Sequence, residues 1–143
     1  MIAVDTNLLV HAHRRDAVFH QEAVNCLQQL AGDPAPWAVC YHSLIEFFGV
    51  VTRAGLWRTP SPPETGLDQI RAWKEAPTLQ ILTDNAITYS RLEQLVRQAK
   101  IRGTLIHDAR IAACCLAHGV AELWTVDRDF SRFPDLKTSN PLV

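Results

Sequence analysis

The stretch Met1-Ile2-Ala3-Val4-Asp5-Thr6-Asn7 decides the fold class of this chain. Residues 2–4 form a short apolar run with β-branched members, and residues 8–10 begin an apolar helical pattern directly after the polar residues. This order predicts a buried parallel strand that ends in an aspartate. Ligands of open α/β sheets bind at the carboxyl ends of the strands, so Asp5 is a candidate binding residue. The alternative is that Asp5 only caps the following helix.

Strand-like and helix-like segments alternate through the rest of the chain. Further strand patterns occupy residues 37–41, 79–82 and 123–126, and helical patterns occupy 19–30, 43–51, 67–73, 92–99 and 106–118. This alternation predicts a three-layer α/β/α fold with a mainly parallel central sheet, built as a single domain over residues 1–143. The proline-rich stretch 57–66 is predicted to be a loop or an irregular arm.

The composition is that of an ordinary globular protein. The chain has 143 residues, 48% hydrophobic and 20% charged, which suits one sizeable core. No apolar run is long enough to cross a bilayer, and no basic region precedes the first apolar run, so no signal peptide and a cytoplasmic location are expected. The four cysteines lack any zinc spacing and are expected to be reduced. With a net charge of -1, a nucleic-acid ligand would need a local basic patch or a bound cation.

Two further acids stand at the tip of a predicted strand. Asp127 follows the apolar run 123–126 directly, which repeats the arrangement at Asp5, and Asp129 comes two residues later. The alternative is that both acids are turn residues.

Two more acids fall in the first turns of predicted helices. Asp108 shares a helical face with Ala112 and Cys115, so it is expected to point inward above the sheet. Glu46 has two explanations that stay open together: it completes a capping box with Ser43, or it is a buried carboxylate that needs a partner.

In a parallel sheet these acids would meet at one edge. Without a cation such a cluster would repel itself and take up protons. Oxygen ligands without histidine favour Mg²⁺ or Mn²⁺ over Zn²⁺. One or two such ions can activate a water molecule and offset charge on a scissile phosphate. The sequence therefore predicts a divalent-metal site.

The chain resembles the PIN-domain nucleases, and among them the VapC-type toxins of bacterial toxin–antitoxin systems. The likeness runs nearly end to end, although residues 57–77 match no motif. It rests on four pieces: Val4-Asp5-Thr6-Asn7, Glu46 after Ser43, His107-Asp108-Ala109-x-Ile111-Ala112-Ala113, and Thr125-x-Asp127-x-Asp129-Phe130.

This resemblance implies a Mg²⁺- or Mn²⁺-dependent endoribonuclease that acts as a toxin. It also implies a VapB-like antitoxin partner and a homodimer. The catalytic metal ligands would be Asp5, Glu46, Asp108 and Asp127. Thr6 and Thr125 would orient water or a carboxylate, and Asp129 is a further candidate at a position where relatives vary.

The contacts to RNA and to a partner are less defined. Arg14 and Arg15 lead the candidates for phosphate contacts, with surface charge as the alternative. The large apolar residues Phe47, Phe48, Trp57 and Trp73 either line a groove for an amphipathic peptide or pack in the core. No histidine is expected to act as a base. The other phosphate-contact candidates are Arg53, Arg58, Lys100 and Arg102.

Two other function classes compete with the nuclease. One is a catalytically inactive PIN-fold interaction module, although all four matched acids are present. The other is a phosphotransfer domain, which would need a second acid next to Asp5 or a lysine late in the chain at a strand tip.

Overall fold

Five parallel strands form the centre of the molecule, in the order β3-β2-β1-β4-β5. The computed structural model describes residues 1–143. The predicted α/β/α architecture is confirmed, because helices flank both faces of the sheet. The strands are β1 (Ile2–Val4), β2 (Trp37–Cys40), β3 (Leu79–Leu82), β4 (Glu122–Trp124) and β5 (Thr138–Ser139); the helices are α1 (Thr6–His13), α2 (His20–Gly32), α3 (Tyr41–Val51), α4 (Pro63–Lys74), α5 (Thr88–Ala99) and α6 (Ile106–Ala117).

The sheet separates two apolar cores because successive strand side chains alternate between its faces. Val4, Trp37 and Val39 pack with α1, α2 and α3 on one face. Ala3 and Ala38 pack with α5 and α6 on the other face. Eight of the 17 buried residues on the second face are alanine or cysteine, and these small side chains let α6 lie close to the strands. The four cysteines are free thiols.

The strand order reverses between β1 and β4. From β1 the chain adds β2 and β3 on one side, and then returns to add β4 and β5 on the other side. Such a switch point leaves a crevice beyond the carboxyl ends of the strands, where ligands of open α/β sheets bind. The amide N–H of Asp5 donates to the carbonyl of Trp124 at 3.0 Å, which joins the tips of the two central strands at this crevice.

The capping-box interpretation of Ser43 and Glu46 is wrong. Strand β2 continues directly into α3, which begins at Tyr41 with Cys40 at the N-cap and has no side-chain capping bond. Ser43 lies inside the helix with a buried hydroxyl that has no partner.

Two other boundaries differ from the prediction. Helix α4 begins at Pro63, at the first helical position that proline favours, so only the first part of the 57–66 arm is irregular. Strand β5 was not predicted; its two residues pair with Leu123 and Trp124. The single-domain interpretation of residues 1–143 stays a prediction. None of the helices combines the length and apolar character needed to cross a membrane.

Candidate active site

Asp5 lies at the switch point, with its side chain 5% exposed. It is the N-cap of α1, and its Oδ1 accepts the amide N–H of Thr6 at 2.8 Å. Its Oδ2 accepts one hydrogen bond from the Thr125 hydroxyl at 2.7 Å and another from the side-chain amide of Asn7 at 3.3 Å. Burial raises the pKa of Asp5 to about 6, against the lowering effect of the bonds from Thr125 and Thr6. Asp5 therefore both caps α1 and lies at the candidate site.

Thr125 and Asn7 tie the end of β4 to α1. The Thr125 hydroxyl, which donates to Asp5, accepts the amide N–H of Asp127 at 3.0 Å and the Asn7 side-chain amide at 3.3 Å. The Asn7 side-chain oxygen accepts the amide N–H of Val126 at 3.3 Å. This network fixes the orientation of the Asp5 carboxylate and the start of the segment that carries Asp127.

Asp108 stands in the first turn of α6, half-buried, above the fully buried Ala112 and Cys115. Burial raises the pKa of Asp108 to about 6, and the negative charges of Asp127 and Asp129 add to this effect. The carboxylate of Asp108 therefore lies close to the carboxylates of Asp127 and Asp129, which carry the same charge.

Asp127 and Asp129 complete an open acidic cluster. Asp127 caps a short 3-10 helix, Arg128–Arg132, by accepting the amide N–H of Asp129 at 2.8 Å. One carboxylate oxygen each from Asp108, Asp127 and Asp129 lies within 4.8 Å of the others. Asp129 also faces Arg132 at 4.0 Å.

Glu46 is exposed, so the buried-carboxylate interpretation of this residue is wrong as well. It sits on α3 at the edge of the site, where its charge contributes to the raised pKa values of Asp5 and Asp108. Its side chain lines the same cavity as the other three candidate ligands. This cavity has a volume of about 190 Å³, and its lining comprises Asp5, Thr6, Asn7, Val10, His11, Glu46, Val50, Asp108 and Asp127.

The donor set of this cavity fits a hard divalent cation. Four carboxylates face one small space that no lysine or arginine lines. Burial raises the pKa values of Asp5 and Asp108, and neighbouring carboxylates add to this effect. The buried hydroxyl of Thr6, which also lines the cavity, has no hydrogen-bond partner in the chain. A hydrated Mg²⁺ or Mn²⁺ ion would supply both the positive charge and a water for that hydroxyl.

Asn7 and His11 had no predicted role. Both line the cavity, and their spacing of four residues places them on one face of α1, a signal that is informative once the direction of the site is known. The His11 Nδ1 accepts the amide N–H of Phe19 at 3.3 Å, and burial lowers the pKa of His11. Because Nδ1 accepts this hydrogen bond, the neutral form of the ring carries its proton on Nε2.

Arg14 and Arg15 follow the opposite end of α1 from Asp5. The Arg14 guanidinium makes two hydrogen bonds to Asp16 at 2.9 and 2.7 Å and a third to the Ser61 hydroxyl at 3.1 Å. It also stacks over Trp57 at 4.5 Å. These contacts engage the Arg14 guanidinium, whereas the Arg15 side chain is exposed. Phosphate binding by either residue stays a prediction.

Comparison with known proteins agrees with the fold described above. The family model described as "PIN domain" matches residues 2–136. The chain belongs to the PIN domain family. The resemblance predicted from the motifs is thereby confirmed.

Relatives of this PIN-domain chain match it over nearly its full length. Ribonuclease VapC43 of Mycobacterium tuberculosis is 32% identical over 142 residues, covering 99% of this chain and 96% of that protein. Ribonuclease VapC48 of the same species is 26% identical over 137 residues, covering 96% and 94%.

Solved structures share the fold of this PIN-domain chain. VapBC2 from Rickettsia felis, bound to a DNA fragment from its promoter, matches with a TM-score of 0.70 and 24% identity over 98% of both chains. The Mycobacterium tuberculosis toxin VapC20, described as cleaving the sarcin-ricin loop, matches with a TM-score of 0.67 and 19% identity over 92% of this chain and 93% of that chain.

Proposed function

We propose that this protein is a Mg²⁺- or Mn²⁺-dependent endoribonuclease that acts as the toxin of a type II toxin–antitoxin system. One observation carries the proposal: four carboxylates from four separate segments face one cavity at the switch point of the sheet. The names of the relatives support RNA as the substrate, since VapC43 and VapC48 are ribonucleases.

Asp5, Asp108, Asp127 and Glu46 are the proposed metal ligands. When bound, the ion would activate water and offset negative charge on the scissile phosphate. Thr125 and Asn7 hold the Asp5 carboxylate in one orientation through their hydrogen bonds. The backbone N–H of Asp129 donates a hydrogen bond to the Asp127 carboxylate and so orients that side chain.

The side chains of the cavity have distinct parts in substrate handling. The Thr6 hydroxyl is free to bind a water molecule. The neutral His11 ring cannot accept a proton at Nδ1 without losing its bond from Phe19, so it is not assigned as the general base. The acids themselves repel RNA, and a bound cation would offset part of this repulsion.

We also propose an antitoxin as the partner, because solved structures with this fold include toxin–antitoxin complexes. A mostly apolar groove of about 270 Å³ between α1, α2 and α4 suits an amphipathic segment of that partner. Trp73 lines this groove, whereas Phe47 is fully buried and packs edge-on against Trp73 at 4.8 Å. The groove proposed here thus includes Trp73 but not Phe47, which belongs to the core.

A homodimer is proposed on a separate surface. Large apolar side chains are exposed on α3 and around the start of α5, where no other element of the chain covers them. Light scattering of the purified protein tests this, and a monomer at micromolar concentration would contradict it. The exposed residues are Tyr41, Ile45, Ile87 and Tyr89.

The test of the proposed activity is cleavage of labelled RNA by the purified protein. We expect cleavage with Mg²⁺ or Mn²⁺, none with EDTA, and none by Asp108→Asn. Asp135→Asn is the matched control, because Asp135 is an exposed aspartate outside the cavity. RNA left intact by the metal-loaded wild-type protein would contradict the proposal and favour the inactive interaction module.

A further inference from the structure

A second polar cavity, of about 480 Å³, adjoins the acidic cavity. Asp127 lines both cavities, and Thr125, which lines the second, donates to Asp5 in the first. Nothing in the activity proposed above uses this space. Its lining comprises Thr125, Val126, Asp127, Arg128, Ser131, Thr138, Ser139, Asn140 and Val143.

The second cavity differs from the first in charge. Arg128 is the only lysine or arginine that lines either cavity. Its guanidinium is exposed, and it forms no ion pair with any carboxylate of the chain, although aspartates precede and follow it. A free guanidinium beside a phosphate-cleaving site is placed to bind a neighbouring phosphate.

The walls of this cavity offer hydrogen-bonding groups that the chain does not use. The Asn140 side-chain oxygen accepts the amide N–H of Leu142 at 3.0 Å, which leaves its NH₂ group free. Ser131 and Thr138 also line the space, and each carries a side-chain hydroxyl. Hydroxyl and amide groups of this kind can pair with a ribose hydroxyl and with base edges, and the volume falls in the range of small-ligand sites.

We propose that this cavity binds the nucleotide next to the scissile phosphate of single-stranded RNA, with Arg128 contacting its phosphate. Ser131, Thr138 and Asn140 contact its ribose and base. The inference rests on the ribonuclease activity proposed above, and it names the part of the surface that sets the preference for the base beside the cut.

The binding test uses a fluorescent single-stranded RNA and proteins that carry Asp108→Asn, so that no cleavage interferes. Adding Arg128→Ala is expected to weaken RNA binding about tenfold. It should also reduce the slope of log affinity against log salt concentration by about one. Ser131→Leu, which fills the cavity without changing charge, is also expected to weaken binding. Arg97→Ala is the charge-matched control, because Arg97 lies on α5 outside both cavities.

The cleavage test sequences the RNA ends produced from a random library by the otherwise wild-type protein. Arg128→Ala and Ser131→Leu are expected to change the base preference beside the cut, with the loss in kcat/KM arising mainly in KM. Unchanged affinity and unchanged base preference in both variants would overturn the subsite. Absence of metal-dependent cleavage by the wild-type protein would instead overturn the proposed activity, while the binding arm still decides the subsite.

Discussion

The aspartates in and beside the acidic cavity are held in two different ways. Asp5 is buried, and both of its oxygens accept hydrogen bonds from neutral groups of the chain. Asp108 and Asp127 are half-buried and Asp129 is exposed, and one carboxylate oxygen of each lies within 4.8 Å of the others, where like charges face each other. Hydrogen bonds fix the Asp5 carboxylate whether or not a cation is present. The second group gains most from a cation, since a positive charge relieves the repulsion between its ionised carboxylates.

This difference predicts opposite consequences for substitutions in the two groups. In the open cluster, replacing a carboxylate removes repulsion and should leave the fold intact while weakening cation binding. Around Asp5, replacing a hydrogen-bond donor leaves a buried carboxylate short of partners and should damage both stability and activity.

The largest effect is expected in the open cluster. Asp108→Asn and Asp127→Asn should each lower RNA cleavage by more than about 100-fold, because removing a ligand costs more than changing a residue around it. Thermal unfolding in EDTA should show each variant at least as stable as the wild-type protein. Wild-type cleavage by Asp108→Asn would remove this residue from the mechanism.

The next effect concerns the bonds to Asp5. Thr125→Val keeps the side-chain shape but removes the 2.7 Å bond to Asp5 and the acceptor of the Asp127 amide. We expect the free energy of unfolding to fall by about 1–3 kcal/mol and cleavage to fall by about 10- to 100-fold. Denaturant unfolding and initial cleavage rates measure the two losses. The control is Thr104→Val, an exposed threonine; equal stability in the two variants would contradict the role of Thr125.

A smaller effect is expected at Asp129. Its carboxylate belongs to the open cluster but faces Arg132 and does not line the acidic cavity. Asp129→Asn should therefore lower cleavage by only about tenfold, the range for residues that orient ligands, while its amide N–H still supports Asp127. Measured at several Mg²⁺ concentrations, the loss should shrink as the ion approaches saturation. A loss as large as that of Asp108→Asn would make Asp129 a direct ligand.

The smallest effect is a pH dependence of stability in EDTA. The folded protein raises the pKa of Asp108 from 3.8 to about 6, so its protonated form favours folding. This contribution is complete below the unfolded pKa and is lost as pH rises through about 6. Asp108→Asn should therefore gain stability relative to wild type between pH 4 and pH 7. A stability difference between the two proteins that does not change with pH would contradict the raised pKa of Asp108.

Sequence patterns predicted the open cluster better than they predicted its surroundings. An aspartate directly after an apolar strand identified Asp5 and Asp127, and helical spacing above small buried residues identified Asp108. These patterns work because the strand direction and the helix face are local properties that the sheet then brings together. The convergence of the acids itself depends on the reversal of strand order, which no local pattern reports.

The errors arose where tertiary structure overrides local preference. The Ser43–Glu46 pair has the spacing of a capping box, but strand β2 runs straight into α3 and places the helix start at Tyr41. Strand β5 has only two residues and exists because it pairs with β4. Asn7 and His11 carry an i, i+4 pattern that only a known site direction makes informative.

The most direct test of the central claim is a calorimetric titration of Mn²⁺ into the wild-type protein and into Asp108→Asn, with Asp135→Asn as the control. If carboxylates from separate segments share a cation, wild type and Asp135→Asn should bind Mn²⁺ saturably, and Asp108→Asn should lose this binding while remaining folded. Equal Mn²⁺ affinity in all three proteins would contradict the account.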